Sequence, residues 1–151
     1  MSDESLSDAE VTLRPPTPAD VPLIIAGRDG AFRRFIGEGS AVPRPKYCIV
    51  VNGSLVGWVD HDRDEDRWWL APDEVNIGYH VFPEYRLRGY ATRAVGLVLA
   101  RLEGEPGVGV ATLLIHPENE PSLAIARRHA FQRCADVEER TFWRLPLGDI
   151  G

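Results

Sequence analysis

Cysteine is scarce in this 151-residue chain. Cys48 and Cys134 are the only two, too few for the disulfide framework of a small secreted domain. Cys48 lies in the apolar run Tyr47–Val51 and is expected to be a reduced core thiol. No run of 18 apolar residues occurs, so no membrane-spanning helix is predicted. The four histidines, His61, His80, His116 and His129, lack the clustered spacing of metal ligands, and no metal site is predicted. The phosphate-binding patterns Gly-x-x-x-x-Gly-Lys-Ser/Thr and Gly-x-Gly-x-x-Gly are both missing, which argues against a nucleotide-binding protein of those types. Positive charge is short as well. The net charge of −6 speaks against general nucleic-acid binding; it favours a cationic partner such as an amine, or serves solubility alone.

Residues 1–10 have no basic start and no long apolar stretch, so they do not read as a secretory leader. They are acidic and Ser-rich and read as a disordered tail before one domain over 11–147. The apolar fraction of 44% with 26% charged residues is that of a globular protein, and a cytoplasmic location is expected.

The patterning alternates between strand and helix. Thr12–Arg14 predicts a short strand, and Ala19–Ala26 a helix after the prolines at 15, 16 and 18, with Thr17 or Asp20 as its cap. Tyr47–Val51 and Leu55–Val59 flank Asn52-Gly53, the strongest short hairpin signal, because both turn residues need φ > 0. Val75, Ile77, Tyr79 and Val81 alternate with polar or small residues, the period of a half-buried strand. Ala91–Leu102 is apolar nearly all round, as a helix buried on a sheet would be. Val110–Ile115 reads as a central strand, Ser122–His129 as a second helix, and Gln132–Val137 with Arg140–Leu145 as a closing strand pair. The layout is a mixed α/β sheet.

The stretch from Phe82 to Thr92 is the most informative. It carries a Gly-containing turn from a strand into a helix N-terminus, where unpaired N–H groups and the helix dipole favour an anion. Gly89 permits close backbone approach or positive φ, and Arg86 and Arg88 add cationic donors suited to phosphate. An ordinary strand–turn–helix connection with solvated arginines would read the same way.

Arg86-x-x-Gly89-x-Ala91, preceded by Pro83-Glu84-Tyr85, resembles the acyl-CoA pyrophosphate loop of the GNAT N-acetyltransferase superfamily. A second block, Asn119-x-x-Ser122 followed by Ile125-Ala126 and Ala130-Phe131, is similar to that family's Asn-x-x-Ser helix. The opening Leu13-Arg14-Pro15 with Asp20 resembles the branch of ribosomal-protein-alanine N-acetyltransferases. The resemblance implies a GNAT-like fold: a central, mostly antiparallel sheet flanked by helices, with a splayed strand pair at the acyl-CoA site. It implies acetyl-CoA as co-substrate and direct transfer of acetyl to a primary amine, on a small molecule or a protein N-terminus. The pyrophosphate would sit on the N–H groups of Leu87, Arg88, Gly89, Tyr90, Ala91 and Thr92. Pantetheine would pair with the backbone at Tyr79, His80 and Val81, and a backbone N–H there would serve the thioester oxygen.

Asn119 would hold pantetheine through its side-chain amide, a role compatible with capping a helix. Ser122 would protonate the departing thiolate or orient a water that does so; its other reading is a local cap in the first turn. Several positions depart from the family pattern. Ala126 stands where many relatives place a Tyr, Asn76 and Leu114 where others place a Glu, and Ala130 where Gly is usual. The general base is therefore open. Glu74 shares a strand face with Asn76 and comes first; a solvated carboxylate at a strand start is its alternative. His80 is on the same face and comes second, and a water chain would need neither. These departures also sustain a second function, a non-catalytic acyl-CoA-binding regulatory module. The acidic run Asp60, Asp62, Asp64, Glu65 and Asp66 would recruit a basic acceptor or simply be a solvated loop. Of Trp68 and Trp69, one is expected in the core, the other at an acceptor cleft or a dimer partner.

Overall fold

The computed structural model describes residues 5–63 and 67–148. It divides into two compact units, 1–60 with 79–97, and 61–78 with 98–151. Among the described residues no helix is long and apolar enough to cross a membrane.

The first unit holds β1 (Leu6–Ser7), β2 (Val11–Arg14), α1 (Asp20–Ala26), α2 (Gly30–Phe35), β3 (Tyr47–Val51) and most of β4 (Ser54–Asp62). The end of β5 (Glu74–Val81) and the start of α3 (Tyr90–Glu103) complete it. Its strands lie in the order β1-β2-β3-β4-β5. The hairpin between β3 and β4 turns at Asn52 (φ 51°) and Gly53 (φ 80°), as the Asn-Gly pair predicts. Residues 1–10 were expected to be a structureless tail; instead Leu6 pairs with Leu13 and Ser7 with Thr12. Asp8 makes this possible. Its carboxylate accepts from the N–H groups of Glu10 and Val11 and so closes the turn between the two strands. Asp20 does not cap α1 directly. It takes a two-pronged bond from Arg14 (2.8 and 3.0 Å) and accepts from the Thr17 backbone, which pins the helix start to β2.

Two glycines mark tight approaches. A Cβ at Gly57 would strike the His80 carbonyl, and one at Gly27 would enter the Phe82 ring. Cys48 is fully buried and its thiol free; burial pushes its pKa up to about 12.

The second unit carries the start of β5, β6 (Val110–Ile115), α4 (Glu120–Arg128), β7 (Gln132–Val137) and β8 (Arg140–Pro146), in strand order β5-β6-β8-β7. β6 is internal, as its largely apolar run predicts, with Thr112 its one polar residue. Its parallel ladder with β5 covers three pairs, Glu74–Asn76 against Val110–Thr112. Its antiparallel ladder with β8 continues to Ile115, so β6 runs on past the last pair with β5. Trp69 is half-buried and packs edge-on against Phe142 at 5.6 Å, while Trp68 stays 74% exposed, so Trp69 is the inward member of the pair. The mixed α/β class predicted from the patterning is the class observed.

Candidate active site

The loop that enters α3 lies wholly in the first unit. A single 3₁₀ turn, Pro83–Tyr85, leads into Arg86. Leu87 (φ 65°) and Gly89 (φ 82°) then both adopt left-handed backbone. For Gly89 this carries no steric penalty; for Leu87, which is 99% exposed, it costs of the order of 1 kcal/mol. The α3 ladder opens with the Arg93 N–H donating to the Gly89 carbonyl (3.1 Å), so the first turn presents backbone donors ahead of the helix dipole. A Cβ added at Gly89 would meet nothing within 4 Å. An open, donor-lined turn of this kind fits a diphosphate.

The two arginines of the loop part company. Arg88 is exposed, with its guanidinium 5.9 Å from the Tyr85 ring, and is placed to meet an anion. Arg86 turns inward. Its Nε donates to the Val81 carbonyl (2.9 Å), and its two terminal nitrogens grip the Asp29 carboxylate (2.8 and 3.2 Å). This corrects the expectation that the Arg86 side chain is a phosphate donor: its charge is already matched by a carboxylate. Asp29 in turn caps α2 by accepting from the Phe32 N–H (3.0 Å). The Arg86 hydrogen bonds come first among the causes that hold the Asp29 pKa down at about 2.

His80 stands beside this pair. Its Nε2 is 2.9 Å from an Arg86 nitrogen. Guanidinium can only donate, so Nε2 accepts, and the network assigns the neutral ring with its proton on Nδ1. Burial and the nearby Arg86 charge push the His80 pKa down to about 4, against the pull of Asp29. The 3.8 Å approach of Nε2 to Asp29 is therefore not a salt bridge at neutral pH. As placed, His80 offers no lone pair for a proton, which corrects its expected role as a base. Tyr79 is half-buried and Val81 buried on the same strand.

Glu74 lies in the second unit and is 4% exposed, not the solvated carboxylate that was one alternative. One oxygen accepts from the Ala71 N–H (2.9 Å), the other from Arg144 Nε (2.5 Å). Both carboxylate oxygens are thus already engaged within the protein. Glu74 closes the turn into β5 and ties it to β8, so its expected role as base is corrected too. Asn76 accepts from the Thr112 hydroxyl (2.9 Å) at the last pair of the β5–β6 ladder. Asn119 is the N-cap of α4, its Oδ1 accepting from the Ser122 N–H (3.4 Å), while its amide nitrogen keeps its donors. Ser122 is half-buried in the first turn. Among the described residues no group of His, Cys, Asp and Glu is arranged to hold a metal. Asp60 accepts from the Lys46 N–H, and Asp62 pairs with Arg67; Asp64, Glu65 and Asp66 lie outside the described residues.

A family model for the acetyltransferase (GNAT) domain matches residues 10–132, which take in the loop, β5 and all of α4. The chain belongs to the GNAT acetyltransferase family. It is an N-acetyltransferase, and its co-substrate is acetyl-CoA. Solved GNAT structures share its fold. An acetyltransferase from Bacillus anthracis superposes with a TM-score of 0.79 at 14% identity, covering 95% of this chain and 98% of that one. RimL, a ribosomal L7/L12 alpha-N-protein acetyltransferase, gives 0.73 at 12% identity over 95% and 94%. The aminoglycoside acetyltransferase AAC(6')-Ib, solved with coenzyme A and kanamycin, gives 0.73 at 16% identity over 90% and 94%. No curated protein matches by sequence. At these identities the structural likeness shows the fold and leaves the acceptor unnamed.

Asp29 and Arg144, the partners of Arg86 and Glu74, were missed from the sequence. Asp29 just before Gly30 had the composition of a helix cap; Arg144 carried no local signal.

Proposed function

We propose that this GNAT protein transfers acetyl directly from acetyl-CoA to a primary amine that is protonated in solution. The observation that carries the reading is the turn into α3. Leu87 and Gly89 in left-handed backbone leave an open run of donors at the helix N-terminus, with Arg88 outside it.

Acetyl-CoA supplies an activated acyl group whose thiol leaves as the amide forms. The loop and the first turn of α3 hold the diphosphate through backbone N–H groups. The end of β5, Tyr79–Val81, offers extended backbone to the pantetheine arm, and a backbone N–H there steadies the negative charge that builds on the acyl oxygen. Asn119 donates through its side-chain amide. Ser122 returns a proton to the departing sulfur, directly or through water. Glu74 and His80 are both committed elsewhere, so the proton of the amine goes to solvent and no side-chain base is assigned.

The net charge of −6 supports a cationic acceptor drawn in through solvent. Such attraction is screened beyond about 8 Å at physiological ionic strength. A thiol-release screen of acetyl-CoA against amino acids, peptides, polyamines and aminoglycosides tests the reading. The expected result is turnover with at least one class and a kcat/KM that falls with salt. Thiol release at the water background for every class would overturn it.

A further inference from the structure

Arg93 stands one helical turn beyond Gly89, in the first turns of α3. Residues four apart share a face of a helix. Gly89 and Arg93 are both exposed, while Tyr90 and Ala94 turn into the core. A helical side chain leans toward the N-terminus of its own helix. For Arg93 that direction is the donor-lined turn at Gly89. The arginine thus adds a cation on the open side of the turn, besides Arg88.

Two carboxylates meet this cation. Arg93 Nη1 lies 3.5 Å from Asp8 Oδ1 and 3.3 Å from Glu10 Oε1. Both belong to the turn between β1 and β2, in the same unit as the start of α3. That turn is fixed at Asp8. Its carboxylate accepts from the N–H groups of Glu10 and Val11 (2.8 and 2.7 Å), and its own N–H donates to the Val11 carbonyl (3.0 Å). The hold on Arg93 is looser. Both approaches are longer than the 2.8 Å contact of Arg86 with Asp29, and Asp8, Glu10 and Arg93 are all exposed. Exposed ion pairs on a long side chain hold weakly, because water screens the charge and order costs entropy. Arg86 is locked in a two-pronged pair; Arg93 is not.

We propose that Arg93 is a phosphate-binding residue of the acetyl-CoA site, held in reserve by Asp8 and Glu10. A phosphate group of acetyl-CoA takes the guanidinium from the two carboxylates, so the β1–β2 turn sets how tightly the co-substrate binds. This rests on the reading of the α3 turn given above. The exchange swaps one charge pairing for another. A phosphate offers several oxygens in a geometry that matches the guanidinium fork, which favours the ligand.

The test is a cycle of acetyl-CoA Kd values from titration calorimetry. It uses the parent, Asp8→Asn with Glu10→Gln, Arg93→Gln, and all three changes together. Asparagine at position 8 keeps an oxygen for the same N–H groups, so the turn stays closed. At low salt the carboxylate variant should bind roughly two- to ten-fold more tightly than the parent, and Arg93→Gln more weakly by a similar factor. High salt should shrink both effects. The decisive comparison is the triple variant. If the carboxylates act through Arg93, neutralising them gains nothing once Arg93 is gone. An unchanged Kd in the carboxylate variant, or a gain that persists in full without Arg93, overturns the proposal. The persistent gain would make Asp8 and Glu10 a general negative field. A parent that binds no acetyl-CoA overturns the reading of the loop, and this proposal with it. Parent binding without coupling overturns this proposal alone. Repeating the cycle with 3′-dephospho-acetyl-CoA identifies the phosphate: coupling retained assigns Arg93 to the diphosphate, and coupling lost assigns it to the 3′-phosphate.

Discussion

Arg86 and Asp29 are joined by a two-pronged ion pair, 2.8 and 3.2 Å, across 57 positions of sequence. The pair links the loop ahead of α3 to the cap of α2, and through Arg86 Nε it also holds the carbonyl of Val81. Arg86→Lys keeps the charge but cannot serve Asp29, Val81 and His80 at once. We predict a lower Tm, with a loss of about 1–3 kcal/mol, and a several-fold higher KM for acetyl-CoA. Asp29→Asn should behave alike. Thermal melts and initial rates check this; unchanged values in both variants would make the pair a surface contact of no consequence.

His80 makes stability depend on pH. Its folded pKa of about 4 lies below the ordinary 6.5. Below pH 6.5 the unfolded chain takes up a proton that the folded chain refuses. The stability due to neutral His80 is thus complete above 6.5 and is lost as pH falls toward 4, by roughly 3 kcal/mol. In His80→Gln the amide oxygen can still accept from Arg86, and the fall in Tm from pH 7 to pH 4.5 should be smaller than in the parent. Parallel curves would remove His80 as the cause. Asp29 acts lower down: its depressed pKa of about 2 keeps its contribution whole above the ordinary carboxylate value near 4 and loses it as pH falls toward 2.

Ala130 sits at φ 66° where α4 ends. The Phe131 N–H bonds back to the Ala126 carbonyl (2.9 Å) and the Ala130 N–H to that of Arg127 (3.0 Å), a helix stop that favours glycine. Ala130→Gly should therefore stabilise the protein, by about 0.5–1 kcal/mol after the extra entropy of the unfolded chain is counted. Chemical denaturation measures this. A destabilised variant would contradict the geometry.

Ser122→Ala should lower kcat by roughly ten- to a thousand-fold if its hydroxyl assists the leaving thiolate, with a much smaller effect on the KM for acetyl-CoA. An unchanged kcat, with chemistry shown to limit the rate, would leave Ser122 a helix-start residue.

What the sequence disclosed follows the range of the interactions. The Asn52-Gly53 turn, the apolar run of β6 and the entry to α3 are set by neighbours within a few residues, and all three were legible. The short strand Leu6–Ser7 was not, because it depends on the Asp8 side chain closing a turn in a stretch with the composition of a tail. The fates of Arg86 and Glu74 were hidden for a different reason. Their partners, Asp29 and Arg144, lie 57 and 70 positions away, and no periodicity reports such a pairing. The Asn119 cap was legible as one of two roles.

The most direct measurement of the central claim is the Kd of acetyl-CoA by titration calorimetry for the parent and for Gly89→Glu. The variant puts a carboxylate at φ 82° in the open turn where the diphosphate is proposed to sit. The account predicts saturable one-to-one binding by the parent and at least a hundred-fold weaker binding by the variant, with the far-UV circular dichroism of both alike. Equal affinity in a folded variant would contradict it.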